Sequence, residues 1–167
     1  SGIIPAIDRM TDHCHAALAL SLHSANEDTR IALMPIAKKH PLTKLMQACD
    51  HYCKQTNRDI TYEYAMISGI NDSDQEAHKL GKLLRSRKAK INLIPYNPVD
   101  GINLEASSEQ RILSFQRILK NYQLITTIRK TRGQKIDAAC GQLLGQVVDR
   151  KKTIAKNAFA TLDTTST

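Results

Sequence analysis

Residues 59–67, Asp59-Ile60-Thr61-Tyr62-Glu63-Tyr64-Ala65-Met66-Ile67, are followed after Ser68 by Gly69-Ile70-Asn71-Asp72 and then by Ser73-Asp74-Gln75-Glu76. The first segment is rich in β-branched and aromatic side chains and reads as a strand. The second is a turn. The third matches a capping box, in which the Ser oxygen and the Glu carboxylate satisfy free N–H groups at a helix start. The helix it opens places Ala77, Leu80 and Leu84 on one face. Lys90-Ile91-Asn92-Leu93-Ile94-Pro95 then reads as another strand. A strand, a capped helix and a second strand in succession predict parallel strands joined by a right-handed crossover.

The alternation continues in both directions. Upstream, Ala16 to His23 is a short apolar run ending in polar side chains, a buried strand candidate. Ser24-Ala25-Asn26-Glu27 matches the capping box again, and Pro41 to Thr56 carries Leu42, Leu45, Met46, Cys49, Tyr52 and Cys53 at helical spacing. Ser1-Gly2-Ile3-Ile4-Pro5 reads as a strand end and turn without a start Met, so the chain is expected to be a piece of a longer protein. Downstream, Tyr96-Asn97-Pro98 begins a long loop. Ser107 to Gln110 caps a helix with Ile112, Phe115, Leu119 and Tyr122 inward. Leu124 to Arg129 reads as a last strand, Gln142 to Asn157 as a terminal helix, and Thr161 to Thr167 as a frayed tail. Polar residues sit at the strand C-terminal ends, at Ser21, His23, Ser68 and Asn97, the edge where parallel sheets and barrels bind ligands.

At 167 residues with 41% hydrophobic content, the chain fits one α/β domain with a real core. Its apolar runs are far short of the roughly 20 residues a membrane helix needs, and no basic and apolar leader opens it. A cytoplasmic location with no membrane partner is expected. The 24 Lys and Arg exceed the 16 Asp and Glu, for a net charge of +8. Between Arg129 and Lys156, eight basic residues face only Asp137 and Asp149. Such clustering suits a polyanion, nucleic acid first, and charge alone suits a solvated basic face about equally.

The four cysteines, Cys14, Cys49, Cys53 and Cys140, read as thiols rather than a disulfide framework. Cys49 and Cys53 lie on an inward helical stripe with Thr56 where a third ligand would stand, so they read as core residues. His13-Cys14-His15 completes no tetrahedral set, and no metal site is expected from this chain. Cys140 differs, because small residues flank it and cations surround it, conditions that favour a reactive thiolate as much as a packed one.

Four segments occur in this order: Ala19-Leu20-Ser21-Leu22-His23; Tyr62-Glu63-Tyr64 with Gly69-Ile70-Asn71-Asp72; Lys90 through Pro98; and Arg129-Lys130-Thr131-Arg132-Gly133 leading to Ile136-Asp137-Ala138-Ala139-Cys140-Gly141-Gln142-Leu143. Together they closely resemble the C-terminal half of the RlmN family of radical S-adenosylmethionine (SAM) RNA methyltransferases. The resemblance implies an α/β fold, the C-terminal half of a radical-SAM partial (β/α) barrel with parallel strands plus a basic C-terminal extension. Its parts would be a partial barrel over residues 1–128, the extension with the methyl-carrier cysteine over 129–160, and the tail over 161–167.

That family methylates C2 of an adenine in 23S ribosomal RNA and in transfer RNA. The resemblance implies that Ser21, Leu22, His23 and Asn97 contact SAM, that Cys140 is methylated and carries the one-carbon unit, and that Arg129, Lys130, Arg132 and Lys135 hold RNA phosphates. C2 of adenine is not nucleophilic, so a methylated Cys140 would deliver its carbon as a radical generated with a second SAM at a 4Fe–4S cluster. A second cysteine would then release the product through a disulfide. An electron donor such as flavodoxin is implied as a partner. The Cys-x-x-x-Cys-x-x-Cys cluster motif is absent from the 167 residues, so this chain alone is expected to be inactive, and the exposed strand edge and apolar helix faces of a partial barrel imply poor solubility or association. Two other readings stand beside this one: a C8-specific Cfr-like enzyme, and a non-catalytic basic RNA-binding module.

Overall fold

The computed structural model describes residues 2–13, 16–99 and 102–129. Cys14, Lys130, Arg132, Lys135, Cys140, the terminal helix at 142–157 and the tail lie outside the described residues. The elements in chain order are α1 (Ile4–His13), β1 (Leu18–Ser21), α2 (Glu27–Leu33), a 3-10 turn (Pro35–Lys39), α3 (Leu42–Thr56), β2 (Ile60–Met66), α4 (Asp74–Leu84), β3 (Ala89–Pro95), α5 (Glu109–Asn121) and β4 (Ile125–Ile128). The four strands pair in parallel in sequential order, β1-β2-β3-β4. Crossovers of one hand between sequential neighbours put their helices on one face of a sheet, the winding of a barrel wall rather than of a doubly wound sheet.

Alternation within the strands decides which face is core. Leu18, Leu20, Ile60, Tyr62, Tyr64, Met66, Ile91 and Leu93 are buried and join Leu45, Cys49 and Tyr52 of α3, Leu80 and Leu84 of α4 and Phe115 and Leu119 of α5 in one cluster. Each fully buried Leu, Ile or Phe there contributes about 1.5–3 kcal/mol. Tyr64 and Phe115 stack at a tilt with centroids 5.2 Å apart. A smaller cluster of Leu33, Met34, Ala37, Ile67, Tyr96 and Leu104 closes the C-terminal edge of the strands.

Three local expectations are corrected. Residues 2–5 do not form a strand end: α1 starts at Ile4, with Pro5 in its first turn, where a missing N–H is harmless, and Ile7 buried. The N-cap of α2 is Asn26, whose Oδ1 accepts from Thr29 N–H at 3.0 Å, and not Ser24. The Ser24 hydroxyl instead donates to Glu76 of α4 at 3.0 Å, and Glu27 accepts from Leu42 N–H at 2.6 Å. The N-cap of α5 is Ser108, while Ser107 donates to Asp72 at 2.8 Å. In the two cap cases, two good cap residues stood close together, and a partner distant in sequence chose between them.

Candidate functional site

The second face of the sheet is polar and open. Its residues are Ala19 and Ser21 of β1, Thr61, Glu63 and Ala65 of β2, Lys90, Asn92 and Ile94 of β3, and Ile125 and Thr127 of β4, each half-buried or exposed. Strand register sets them in rows. Ser21 pairs with Glu63, Glu63 with Asn92, and Asn92 with Thr127, so one polar row crosses all four strands. Thr127 Oγ1 donates to Asn92 Oδ1 at 3.2 Å. The Glu63 carboxylate makes no hydrogen bond or ion pair with any described residue. Parallel sheets are ordinarily apolar on both faces because both are covered. A polar row on such a sheet marks a surface kept for a ligand or for solvent.

The rim above the row is built from the strand exits. After Ser21 the chain turns sharply: Leu22 N–H donates to Glu63 O at 2.9 Å, and Leu22 O accepts from Ser24 N–H at 2.8 Å. Leu22 is fully buried, so its part is to set the backbone. His23 adopts the left-handed conformation, with φ of 59°, and its Nδ1 accepts from Ala65 N–H at 3.0 Å. Burial first, and then the charge of Arg30, push its pKa down to about 4. Asn97 follows β3 by two residues and is exposed, and Arg129, exposed after β4, donates its backbone N–H to Leu93 O at 2.8 Å. The structure thus brings Ser21 into the row, sets Leu22 and His23 beside it, and leaves Asn97 and Arg129 at neighbouring exits.

The sequence reading named Ser21 but missed Glu63, Asn92 and Thr127. The available signal was period-2 alternation of polar side chains in strands read as parallel. Asn71, also missed, is fully buried and bonds both the β1 and β2 exits, with Nδ2 donating to His23 O at 2.8 Å and to Ala65 O at 2.7 Å. Below the opposite face, Cys49 is buried and its thiol is pushed up to about 12, chiefly by burial. Cys53 is half-buried and its thiol is also shifted upward by burial. No three His, Cys, Asp or Glu among the described residues come together to hold a metal. Nor is any helix among them long and apolar enough to cross a membrane.

No family model matches the sequence. Among solved structures, the chain is similar to a radical SAM methyltransferase from Sphaerobacter thermophilus, with 41% identity and a TM-score of 0.81 over 85% of this chain and 42% of that one. A domain of pyruvate-formate lyase-activating enzyme from Bacteroides vulgatus ATCC 8482 matches with a TM-score of 0.58 at 18% identity, over 77% of this chain and 76% of that one. The second likeness concerns the fold alone. The match covers less than half of the Sphaerobacter protein. It carries an α/β fold like that of radical SAM enzymes and is related in sequence to the radical SAM methyltransferases.

Proposed function

We propose that the chain is the C-terminal part of a radical SAM RNA methyltransferase that modifies C2 of adenine in 23S ribosomal RNA and transfer RNA, with Cys140 as its methyl-carrying thiol. The observation that carries the reading is the 41% identity to a radical SAM methyltransferase over 85% of the chain. The order of the four motif segments, ending at Cys140, narrows it to the adenine-modifying family.

The polar row fits S-adenosylmethionine. That molecule has an amino acid head, ribose hydroxyls and a sulfonium, and the row offers a carboxylate, an amide and two hydroxyls in register across the strands. In this reading Ser21, Glu63, Asn92 and Thr127 line the cofactor, Asn97 reaches it from the rim, and Leu22 and His23 hold the β1 exit. Bound there, the cofactor supplies the methyl group and the radical chemistry. The described residues do not fit an iron–sulfur cluster, since Cys49 is buried on the helix side and lacks partner ligands. In this reading the cluster would be held from outside the described residues and served by a separate electron donor.

Cys140 would act as a thiolate and carry the methyl group on its Sγ, with bound S-adenosylmethionine supplying that group. Arg129, Lys130, Arg132 and Lys135, close to it in sequence, would favour the thiolate and hold RNA phosphates. The test is Cys140→Ala in the longer protein, with mass analysis of the nucleosides. Loss of methyladenine is expected, and modification at the normal level would overturn the reading. Methylation at C8 would select the Cfr-like alternative. RNA binding without any Cys140-dependent modification would select the non-catalytic module.

A further inference from the structure

β1 stops before β2 does. Its last residue, Ser21, pairs with Glu63, whereas β2 continues to Met66. Along a strand, alternate residues direct both main-chain groups to the same neighbour. Glu63 O bonds Leu22 of the β1 side, so Ala65 and Ile67 also face that side, with no strand opposite. Two side chains take the place of the missing strand. Ala65 N–H donates to His23 Nδ1 at 3.0 Å, Ala65 O accepts from Asn71 Nδ2 at 2.7 Å, and Ile67 N–H donates to Asn71 Oδ1 at 2.9 Å. The second Nδ2 hydrogen goes to His23 O at 2.8 Å, and Asn71 O accepts from the Tyr64 hydroxyl at 2.7 Å.

The chemistry of the ring follows from that bond. A nitrogen that accepts from an amide N–H carries no proton, so the neutral His23 ring is protonated on Nε2. Nε2 makes no hydrogen bond within the described residues. The charge of Arg30 of α2 is positive and opposes a second proton, as burial does. His23 also holds a left-handed backbone, which a side chain other than Gly adopts only when its surroundings fix it. Asn71 supplies that fixing, since one amide group ties His23 O to Ala65 O.

We propose that Asn71 is a positioning residue that locks His23 as a neutral imidazole protonated on Nε2, so that the β1 exit presents one directed N–H donor to an acceptor oxygen of a bound ligand. The identity of that ligand as S-adenosylmethionine, through a carboxylate or hydroxyl oxygen, rests on the function proposed above. The tautomer and its lock do not.

The experiment is an imidazole 1H–15N two-bond correlation spectrum of the labelled longer protein near neutral pH. His23 is expected to show the pattern of a ring protonated on Nε2 alone. Asn71→Asp keeps the shape and removes both donors, and should convert His23 to the averaged pattern of a free imidazole. Exchange of the Ala65 amide should rise at least about tenfold in His23→Ala and return toward the original rate in His23→Gln, whose amide accepts and donates as this tautomer does. A proton on Nδ1, an averaged ring in the unaltered chain, or an unchanged ring in Asn71→Asp would overturn the proposal. So would an Asn71→Asp chain that does not fold, because it would make Asn71 a plain core residue. Failure of the longer protein to bind S-adenosylmethionine with the tautomer intact would count against the function proposed above and not against the lock.

Discussion

The two faces of the sheet are built from the same strands, often from adjacent residues, yet they obey different rules. Tyr62 and Tyr64 point into a close-packed layer beneath α3, α4 and α5, while Glu63 between them faces outward with no partner among the described residues. One face gathers the burial that makes the fold. The other keeps a carboxylate, an amide and hydroxyls in register across four strands and takes little part in stability. The contrast teaches where substitutions should unfold the chain and where they should leave it folded while weakening a ligand.

The largest effect is expected on the covered face. Phe115→Ala removes a fully buried ring packed on Tyr64 and should cost about 3–5 kcal/mol in urea unfolding. A cost below about 1 kcal/mol would mean that the helix layer is not the stabilising one. Next comes Gly81→Ala, because a Cβ there would overlap the ring of Tyr122. Overpacking of this kind should cost about 1–3 kcal/mol, read from the same transition. Ser108→Ala removes the N-cap bond to Arg111 N–H and should cost about 1 kcal/mol. On the open face, Asn92→Ala should change stability by no more than about 0.5 kcal/mol, and a larger loss would blur the distinction between the faces.

A pH profile sharpens the same contrast at the rim. The folded pKa of His23 lies near 4, below its unfolded value of about 6.5. The unfolded chain therefore binds more protons between these values, so this contribution to stability is fully present above about 6.5 and is lost as pH falls toward 4. His23→Gln should flatten that part of the profile in thermal melts. An unchanged slope would assign the pH dependence to other groups.

Much of the architecture was legible because it is written locally. Pro41, Ser73 and the apolar spacings at Leu80 and Leu84 or Ile112 and Phe115 fix helix starts and inward faces without reference to anything distant. The strands β2 and β3 were marked by their β-branched and aromatic residues. What was not legible depends on contacts far apart in the chain. Ser24 looked like a cap until Glu76 claimed its hydroxyl. Gly2 and Pro5 looked like a turn because nothing local shows Ile7 entering the core. Asn71 looked like an ordinary turn residue, and only the early end of β1 gives it Ala65, Ile67 and His23 to bind. The row from Ser21 to Thr127 needs the register of four strands before its members line up.

The most direct test of the central claim, that the open face holds the cofactor, is equilibrium binding of S-adenosylmethionine to the longer protein and to its Asn92→Ala and Glu63→Gln variants. Binding at least about tenfold weaker, equivalent to about 1.4 kcal/mol, with unchanged unfolding midpoints is the expected result. Unaltered affinity in both variants would contradict the account.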